Sequence, residues 1–252
     1  MALKPIVRLE NITKNFHGRH VLDDLSLEIF RGEILVILGK SGSGKSVLLR
    51  QIMSLEAPDS GRVVYDPGLL DASGKPDFGK IGLVFQGGAL FDFMSVLDNV
   101  AFYLTVHCGK KNRKLSDREI GERAFEALTW VGLQEAATLF PSQLSGGMRK
   151  RVALARSVVY NPEVLLYDEP TAGLDPVTGG GIGRFIRNLR DEKGITGVVV
   201  THELDLAIFL ADRIAFHSEG RIVYLSDKEN FFNSRDPAVT EFLSKYRHET
   251  LV

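Results

Sequence analysis

The chain has 252 residues, 44% of them hydrophobic and 25% charged. This composition excludes a collagen-like or disordered chain, and the length suffices for one large α/β domain with a smaller lobe. The formal net charge of −1 argues against a protein that holds nucleic acid by bulk charge. We expect a soluble protein, because no stretch approaches the roughly 20 apolar residues of a membrane span and no secretory signal is evident. The single cysteine, Cys108, fits a reducing compartment and is interpreted as a small, at least half-buried hydrophobe.

The first third of the chain predicts strands around one helix. Alternating or continuous apolar patterns favour strands over 7–12, 25–29, 33–38, 61–65 and 81–85. The first two of these are typical of half-exposed antiparallel strands. A glycine-rich turn precedes a helix over 45–55, and residues 66–80, rich in Gly, Pro and Asp, predict a surface loop.

The pattern becomes helical from Met94 to Tyr160. Ser116 and Glu119 fit a capping box that begins a helix ending near Val131, and another helix follows Gly147. Strands and helices then alternate, with strands over 164–168, 197–201, 214–217 and 221–225 and helices over 177–192 and 203–211. This order predicts a parallel sheet wrapped by helices, with a helical lobe inserted midway.

We therefore expect one domain over residues 1–252. A nucleotide-binding core would comprise 1–86 and 161–226, and a helical subdomain 87–160. Residues 227–252 would form a helical tail. The fold class is α/β, with an antiparallel β part at the N-terminus.

The segment after the third predicted strand matches the phosphate-binding pattern G-x-x-x-x-G-K-[ST]. It reads Gly39-Lys40-Ser41-Gly42-Ser43-Gly44-Lys45-Ser46. Glycines let backbone N–H groups approach phosphate oxygens, and the following helix N-terminus attracts anions. Lys45 would reach the β- and γ-phosphates, and Ser46 would ligate Mg²⁺. The pattern predicts a P-loop NTPase with a RecA-like parallel sheet and helices on both faces.

An apolar strand ending in Asp168-Glu169 supplies the acidic half of such a site. Carboxylates at the carboxyl end of a parallel strand lie where α/β proteins bind ligands. Asp168 would hold Mg²⁺ through a water, and Glu169 would polarise the attacking water and accept its proton.

Leu144-Ser145-Gly146-Gly147-Met148 resembles the signature of the ABC ATPases, and nearly the whole chain follows that family's motif order. The resemblance implies that Phe16 stacks on adenine, that Gln86 contacts Mg²⁺, that Asp175 belongs to the D-loop and that His202 contacts the γ-phosphate. Each has a plainer reading: a core or edge-strand aromatic for Phe16, a strand-end polar group for Gln86, a turn residue for Asp175 and a helix cap for His202.

The resemblance also implies a partner and a cofactor set. In ABC proteins, the signature of one copy covers the ATP held by the P-loop of a second copy. The resemblance therefore implies that Ser145, Gly146 and Gly147 contact the partner's ATP, so that a two-fold dimer shares two Mg²⁺-ATP molecules. Two positions depart from the family pattern. Val47 replaces a second hydroxyl that would contact the α-phosphate, and Met148 replaces a glutamine. Neither change removes a charge or a metal ligand, so activity should survive.

The region Gln86–Tyr103 looks like the segment that receives the coupling helix of an integral-membrane permease, with Phe91, Phe93 and Met94 lining an apolar groove. The chain would then sit on the cytoplasmic face of the inner membrane. The alternative is that the aromatics of this region belong to the core of the helical lobe. The amino-acid sequence of this segment and of the tail is similar to that of Mla-type ATPases, and this resemblance implies phospholipid transport and lipid-binding accessory subunits. The alternatives are an importer of a small solute such as an amino acid, and a non-transport ABC ATPase with soluble partners.

Overall fold

The computed structural model describes residues 4–16, 18–107 and 115–249, the last five of these by backbone alone. Cys108 lies outside the described residues. Among the residues described, no helix is both long and apolar enough to cross a membrane.

The N-terminal part forms a three-stranded antiparallel sheet in the order β2-β1-β4. Its strands are β1 (Pro5–Phe16), β2 (Arg19–Phe30) and β4 (Ser60–Tyr65). The alternating pattern of the sequence corresponds to one buried and one exposed face, as predicted for half-exposed strands.

A six-stranded sheet forms the centre of the molecule, in the order β5-β6-β7-β3-β8-β9. Its strands are β3 (Ile34–Leu38), β5 (Ile81–Val84), β6 (Val164–Asp168), β7 (Thr196–Thr201), β8 (Arg213–Ser218) and β9 (Arg221–Asp227). All pairings are parallel except that of β9 with β8. Because β6, β7 and β3 are adjacent and parallel, the segments that follow them meet at one edge of the sheet.

Eight α-helices are described: α1 (Lys45–Ile52), α2 (Val96–His107), α3 (Asp117–Trp130), α4 (Gly146–Val158), α5 (Pro176–Lys193), α6 (Leu204–Leu210), α7 (Lys228–Phe232) and α8 (Pro237–Glu249). The predicted capping box is confirmed, since the Ser116 side chain accepts from the Glu119 N–H and the Ser116 N–H donates to the Glu119 carboxylate at 2.7 Å. Helix α1 ends three residues earlier than predicted, and Ser54 just beyond it has φ 51°.

Strand β3 shows how the sheet is covered. All five of its residues are buried. Ile34, Val36 and Leu38 belong to an apolar cluster that they share with α2 to α8, whereas Leu35 and Ile37 belong to a second cluster with α1 and the antiparallel sheet. The predicted α/β class with layers on both faces is confirmed, and one apolar core joins the inserted helices to the sheet.

Two segments are more deeply packed than the sequence indicated. The loop over 66–80 was expected at the surface, but it contains a 3₁₀ turn whose Leu69 is fully buried. In the tail, Phe231 and Val239 are fully buried, and the Phe242 ring lies 4.9 Å from that of Phe216 on β8. The tail therefore packs on the core of its own chain.

Candidate nucleotide site

The P-loop connects β3 to α1 in a conformation that only glycine adopts easily. Gly44 caps α1 with φ 106° and ψ 0°. A Cβ on Gly44 would lie 2.6 Å from the carbonyl oxygen of Val21, inside van der Waals contact. Glycine is thus required both for the turn and for the close approach of β2 to the loop.

The N-terminus of α1 is chemically prepared for an anion. No side chain caps it and its first turn contains no acidic residue. Its N–H groups and the positive end of the helix dipole are available to a phosphate. In α3, by contrast, Ser116 caps the helix and Asp117 and Glu119 occupy the first turn.

Lys45 lies inside the loop and carries a charge that the protein must compensate. Its side chain is 4% exposed, and Nζ donates at 2.8 Å to the carbonyl oxygens of Gly39 and Lys40 and lies 3.8 Å from Glu169 Oε1. Burial lowers the pKa of Lys45, while the carboxylates of Glu169 and Asp168 act in the opposite direction. A buried ammonium with so few solvent contacts is suited to pairing with phosphate.

The two acids at the carboxyl end of β6 contact different residues of the site. The Ser46 hydroxyl donates to Asp168 Oδ1 at 2.7 Å, and burial raises the pKa of Asp168 against this hydrogen bond. Glu169 is 8% exposed and adopts φ 46°, a left-handed conformation that is uncommon for a residue other than glycine. This backbone turn directs the two carboxylates differently.

His202, which follows β7, faces the acid at the end of β6. Its Nδ1 lies 3.0 Å from both carboxylate oxygens of Glu169. The plainer reading of His202 as a helix cap is not what the geometry shows, because Glu203 is the N-cap of α6 and the Thr201 hydroxyl accepts the Glu203 N–H at 3.0 Å.

A cleft of about 310 Å³ brings half of the predicted residues together. It is lined by Val21, Ser41, Gly42, Gly44, Lys45, Ser46, Val47, Gln86, Glu169 and His202. Lys40, Ser41, Gly42 and Ser43 also line a neighbouring cleft of about 480 Å³ on the β8–β9 side of the loop. The P-loop, the acid, the histidine and Gln86 thus converge, although they are far apart in sequence.

The oxygen donors at this edge suit Mg²⁺. Ser46 contributes a hydroxyl, Gln86 an amide and Asp168 a carboxylate, and Mg²⁺ prefers such hard oxygen ligands. Among the described residues no cluster of three or more His, Cys, Asp or Glu side chains forms a metal site. A protein donor set this small fits an ion that is completed by nucleotide phosphates and waters.

The predicted signature lies elsewhere, beside the D-loop. A Cβ on Gly147 would be 2.5 Å from Thr178 Cγ2, and one on Gly146 would be 3.9 Å from Leu174. Ser145 caps α4 by accepting the Met148 N–H, and Asp175 caps α5 by accepting the N–H groups of Val177 and Thr178. None of Ser145, Gly146, Gly147 and Asp175 lines the P-loop cleft of this chain.

Phe16 also stands apart from that cleft. It ends β1, is 37% exposed, and its ring lies 5.6 Å from Lys14 Nζ. Phe16 is therefore not a core aromatic, and its exposed face fits either a plain strand-end aromatic or a surface for stacking. Val21, which lines both clefts, was missed because an isolated valine in an alternating strand gives no functional signal.

Two further polar residues at the site were missed. His217 on β8 is 1% exposed, and its Nδ1 lies 3.1 Å from Ser43 Oγ under the P-loop. Lys150 on α4 donates from Nζ to the carbonyl oxygens of Ala172 at 2.6 Å and Glu169 at 3.3 Å. Neither belongs to a recognisable motif, so only the tertiary structure reveals them.

The predicted permease region displays an aromatic turn over residues 91–95. Phe93 is 77% exposed, and its ring centroid lies 5.8 Å from that of Phe91, which packs on Phe102 at 4.7 Å. The turn is held by the fully buried Asn99, which accepts the Phe91 N–H at 2.8 Å and donates to the carbonyls of Phe91, Met94 and Ser95. Phe93 is presented to solvent, whereas Phe91 and Phe102 pack within the chain.

Fold and site together define a P-loop nucleotide-binding protein. Comparison with known proteins shows which family of P-loop proteins the chain belongs to. The family model described as ABC transporter matches residues 22–172. The chain is 40% identical over 232 residues to the putrescine transport ATP-binding protein PotG of Escherichia coli (strain K12), covering 92% of this chain and 59% of PotG. It is 40% identical over 245 residues to the glutamate transport ATP-binding protein GluA of Corynebacterium efficiens, covering 95% of this chain and 98% of GluA.

Among solved structures, the fold is similar to the dimeric post-hydrolysis state of the ATP-binding cassette MJ0796 bound to ADP and Pi. The TM-score is 0.78 at 36% identity, covering 88% of this chain and 98% of the other. The chain belongs to the ABC transporter family of ATPases. It spans little more than half of the length of PotG. The names of PotG and GluA refer to transport of putrescine and glutamate, not of phospholipids.

Proposed function

We propose that this chain hydrolyses Mg²⁺-ATP as the motor subunit of an ABC transporter. The observation that carries the proposal is the convergence of Lys45, Glu169 and His202 on the P-loop cleft, with Nζ of Lys45 and Nδ1 of His202 at 3.8 and 3.0 Å from the same carboxylate oxygen. Lys45 and the N–H groups of the loop would bind the phosphates. Mg²⁺, held by Ser46 and Gln86 and by Asp168 through a water, would neutralise phosphate charge when bound.

Glu169 is the proposed general base. Its carboxylate would accept a proton from the attacking water, and His202 would fix the orientation of that carboxylate and face the γ-phosphate. Phe16 would stack on adenine through its exposed face. Val47 lines the cleft without offering a hydroxyl, so it contributes contact rather than a phosphate ligand.

We further propose that two copies of the chain share each ATP. Ser145, Gly146 and Gly147 stand beside the D-loop rather than over the P-loop cleft of their own chain, and the first turn of α4 has no acidic residue. Such a helix start is a second phosphate-facing surface that needs a ligand held elsewhere. The dimeric state of MJ0796 supports this arrangement, and Asp175 at the start of α5 would belong to the same surface.

A mixing experiment tests the shared sites. Lys45→Ala should weaken ATP binding because charge-assisted hydrogen bonds are lost, and Ser145→Arg should spare binding but block closure on the partner's ATP. Each variant alone should be inactive, whereas an equimolar mixture should recover activity because one of the two sites in the mixed dimer is intact. Absence of recovery, together with absence of an ATP-dependent dimer in the unmixed protein, would contradict the proposal.

For the cargo, we propose a small solute such as an amino acid or polyamine, taken up through an integral-membrane permease. The full-length match to GluA and the match to PotG support this reading. The permease would dock on region 86–103, where Phe93 is exposed on a turn held by Asn99. The chain would then be peripheral on the cytoplasmic face of the membrane, with residues 87–160 acting as the coupling subdomain.

Phospholipid transport is the second candidate. The amino-acid sequences of residues 86–103 and of the tail favour it, because they resemble those of Mla-type ATPases. The transporter would then also contain lipid-binding accessory subunits. Purification of the chain with its native permease separates the two. Stimulation of ATP hydrolysis by a solute with its binding protein supports the first candidate, whereas phospholipid retained by the complex supports the second. Recovery with soluble proteins alone would contradict both.

A further inference from the structure

Lys150 connects the signature helix to the loop that carries the catalytic acid. It lies on α4, five residues after Ser145, and reaches across to residues 169–172. Its Nζ donates to the carbonyl oxygen of Ala172 at 2.6 Å and to that of Glu169 at 3.3 Å. A side chain of the inserted helices thereby holds the backbone of the acid itself.

The turn over residues 169–172, which Lys150 contacts, begins with a strained residue. Glu169 has φ 46°, a conformation that costs energy for a residue with a Cβ. Its N–H donates to Val200 O at 2.9 Å, and its carbonyl also accepts the Ala172 N–H at 3.2 Å. Removing the ammonium from this partly buried place would leave the Ala172 carbonyl without its short charge-assisted bond.

The charges around Lys150 strengthen the same connection. Burial lowers the pKa of Lys150, while the carboxylates of Glu203 and Glu169 act against that shift. Glu203 in turn accepts the Thr171 hydroxyl at 2.8 Å. Lys150, the 169–172 turn and Glu203 therefore form one continuous polar network between α4 and the residue that follows His202.

We propose that Lys150 is a positioning residue that couples the signature of one ATP site to the acid of the other. This inference rests on the proposed function. In the shared-site dimer, Ser145 of a chain faces the partner's ATP while Glu169 of the same chain acts on its own ATP. A shift of α4 on closure over the first ATP is transmitted by Lys150 to the turn that aims Glu169 at the second.

The test compares Lys150→Met, which keeps the length but removes the charge, with Lys150→Arg, which keeps donors. Lys228→Met is the matched control, because Lys228 Nζ also donates to a backbone carbonyl, that of Ile208 at 3.2 Å, away from the acid turn. We expect Lys150→Met to lower kcat about tenfold or more and to reduce the Hill coefficient for ATP towards one, with the Kd for ATP within about twofold of the unmodified chain. Lys150→Arg should restore most of both, and Lys228→Met should change neither.

Two measurements separate positioning from loss of structure or of the dimer. In the nucleotide-free chain, amide hydrogen exchange of residues 171–174 should accelerate in Lys150→Met while the exchange of β3 stays unchanged. In the Glu169→Gln background, Lys150→Met should still form the ATP-bridged dimer. Unchanged exchange, or an unchanged kcat and Hill coefficient in a protein that dimerises, would overturn the role of Lys150. An unmodified chain that neither dimerises with ATP nor hydrolyses it would overturn the proposed function, and the coupling with it.

Discussion

Nδ1 of His202 lies 3.0 Å from both carboxylate oxygens of Glu169, although the two residues follow different strands. Strands β6 and β7 are adjacent and parallel, with Asp168 opposite Val200 in the register, so the residues that follow them are neighbours. The strained backbone of Glu169 turns its carboxylate towards the histidine and Lys45. The pair therefore depends on sheet register and on one unusual φ angle.

Glu169→Gln should retain ATP binding and lower hydrolysis by a factor of about 10² to 10⁴, since an amide cannot accept the proton of water. Because the ATP is bound but not hydrolysed, the variant should accumulate as an ATP-bridged dimer. Light scattering measures this dimer. Glu163→Gln is the control, since Glu163 stands at the opposite end of β6 and pairs with Arg31 at 2.7 Å. Turnover in Glu169→Gln equal to that of the control would remove Glu169 as the base.

Gly44→Ala should disable the P-loop. The added Cβ meets Val21 O at 2.6 Å, and φ 106° is strained for alanine, so we expect a loss of about 2 kcal/mol or more in unfolding free energy and a weaker Kd for ATP. Gly121→Ala is the opposite case, because Gly121 lies in α3 with no neighbour within 4 Å of an added Cβ. It should stabilise the chain by roughly 0.5–1 kcal/mol. Urea unfolding of both variants checks the pair, and equal effects would contradict the reading of Gly44.

The parts of this site that a sequence can predict are those fixed by local chemistry. The P-loop needs its glycines for backbone reasons, and Asp168 and Glu169 stand at the end of an apolar strand, so neighbouring residues suffice to predict both features. The capping box at Ser116 and Glu119 is equally local, and it is present in the structure as expected.

Residues that act through tertiary contacts gave no such signal. His217 looks like one more residue of a buried strand, and its relation to Ser43 spans 174 positions of the chain. In the sequence, Lys150 is indistinguishable from any other basic residue of a helix. Only the fold shows that the turn after β6 packs against it. The loop over 66–80 has the composition of a surface segment, yet Leu69 is drawn into the core by a 3₁₀ turn, a packing effect that composition cannot show.

Phe231→Ala should destabilise the chain by about 3–5 kcal/mol, because a fully buried phenylalanine leaves a cavity when truncated. Phe125→Ala, at a side chain 48% exposed on α3, should cost less than about 1 kcal/mol. Thermal or urea unfolding of the isolated chain measures the difference. If both variants unfold alike, the tail does not contribute to the core.

His217 should make the stability of the chain sensitive to mild acid. Burial, with a contribution from the charge of Lys45, lowers its pKa from 6.5 to about 4, and no hydrogen-bond partner is described for its buried Nε2. The unfolded chain therefore binds this proton more tightly than the folded chain. The stabilisation is complete above pH 6.5 and is lost as the pH falls towards 4.

The variant His217→Asn keeps a hydrogen-bonding group near Ser43 but does not titrate. Between pH 7.5 and 4.5, the unfolding free energy of the unmodified chain should fall by about 2–3 kcal/mol more than that of the variant. Other titrating groups, including Asp168 and Glu33, whose pKa values are raised by burial, contribute equally to both proteins and cancel in this difference. His20 lines the same cleft as His217 but is exposed. The unfolding free energy of His20→Asn should therefore depend on pH as that of the unmodified chain does. A pH dependence shared by His217→Asn and the unmodified chain would mean that the ring takes up its proton without unfolding, and that the pocket under the P-loop admits water.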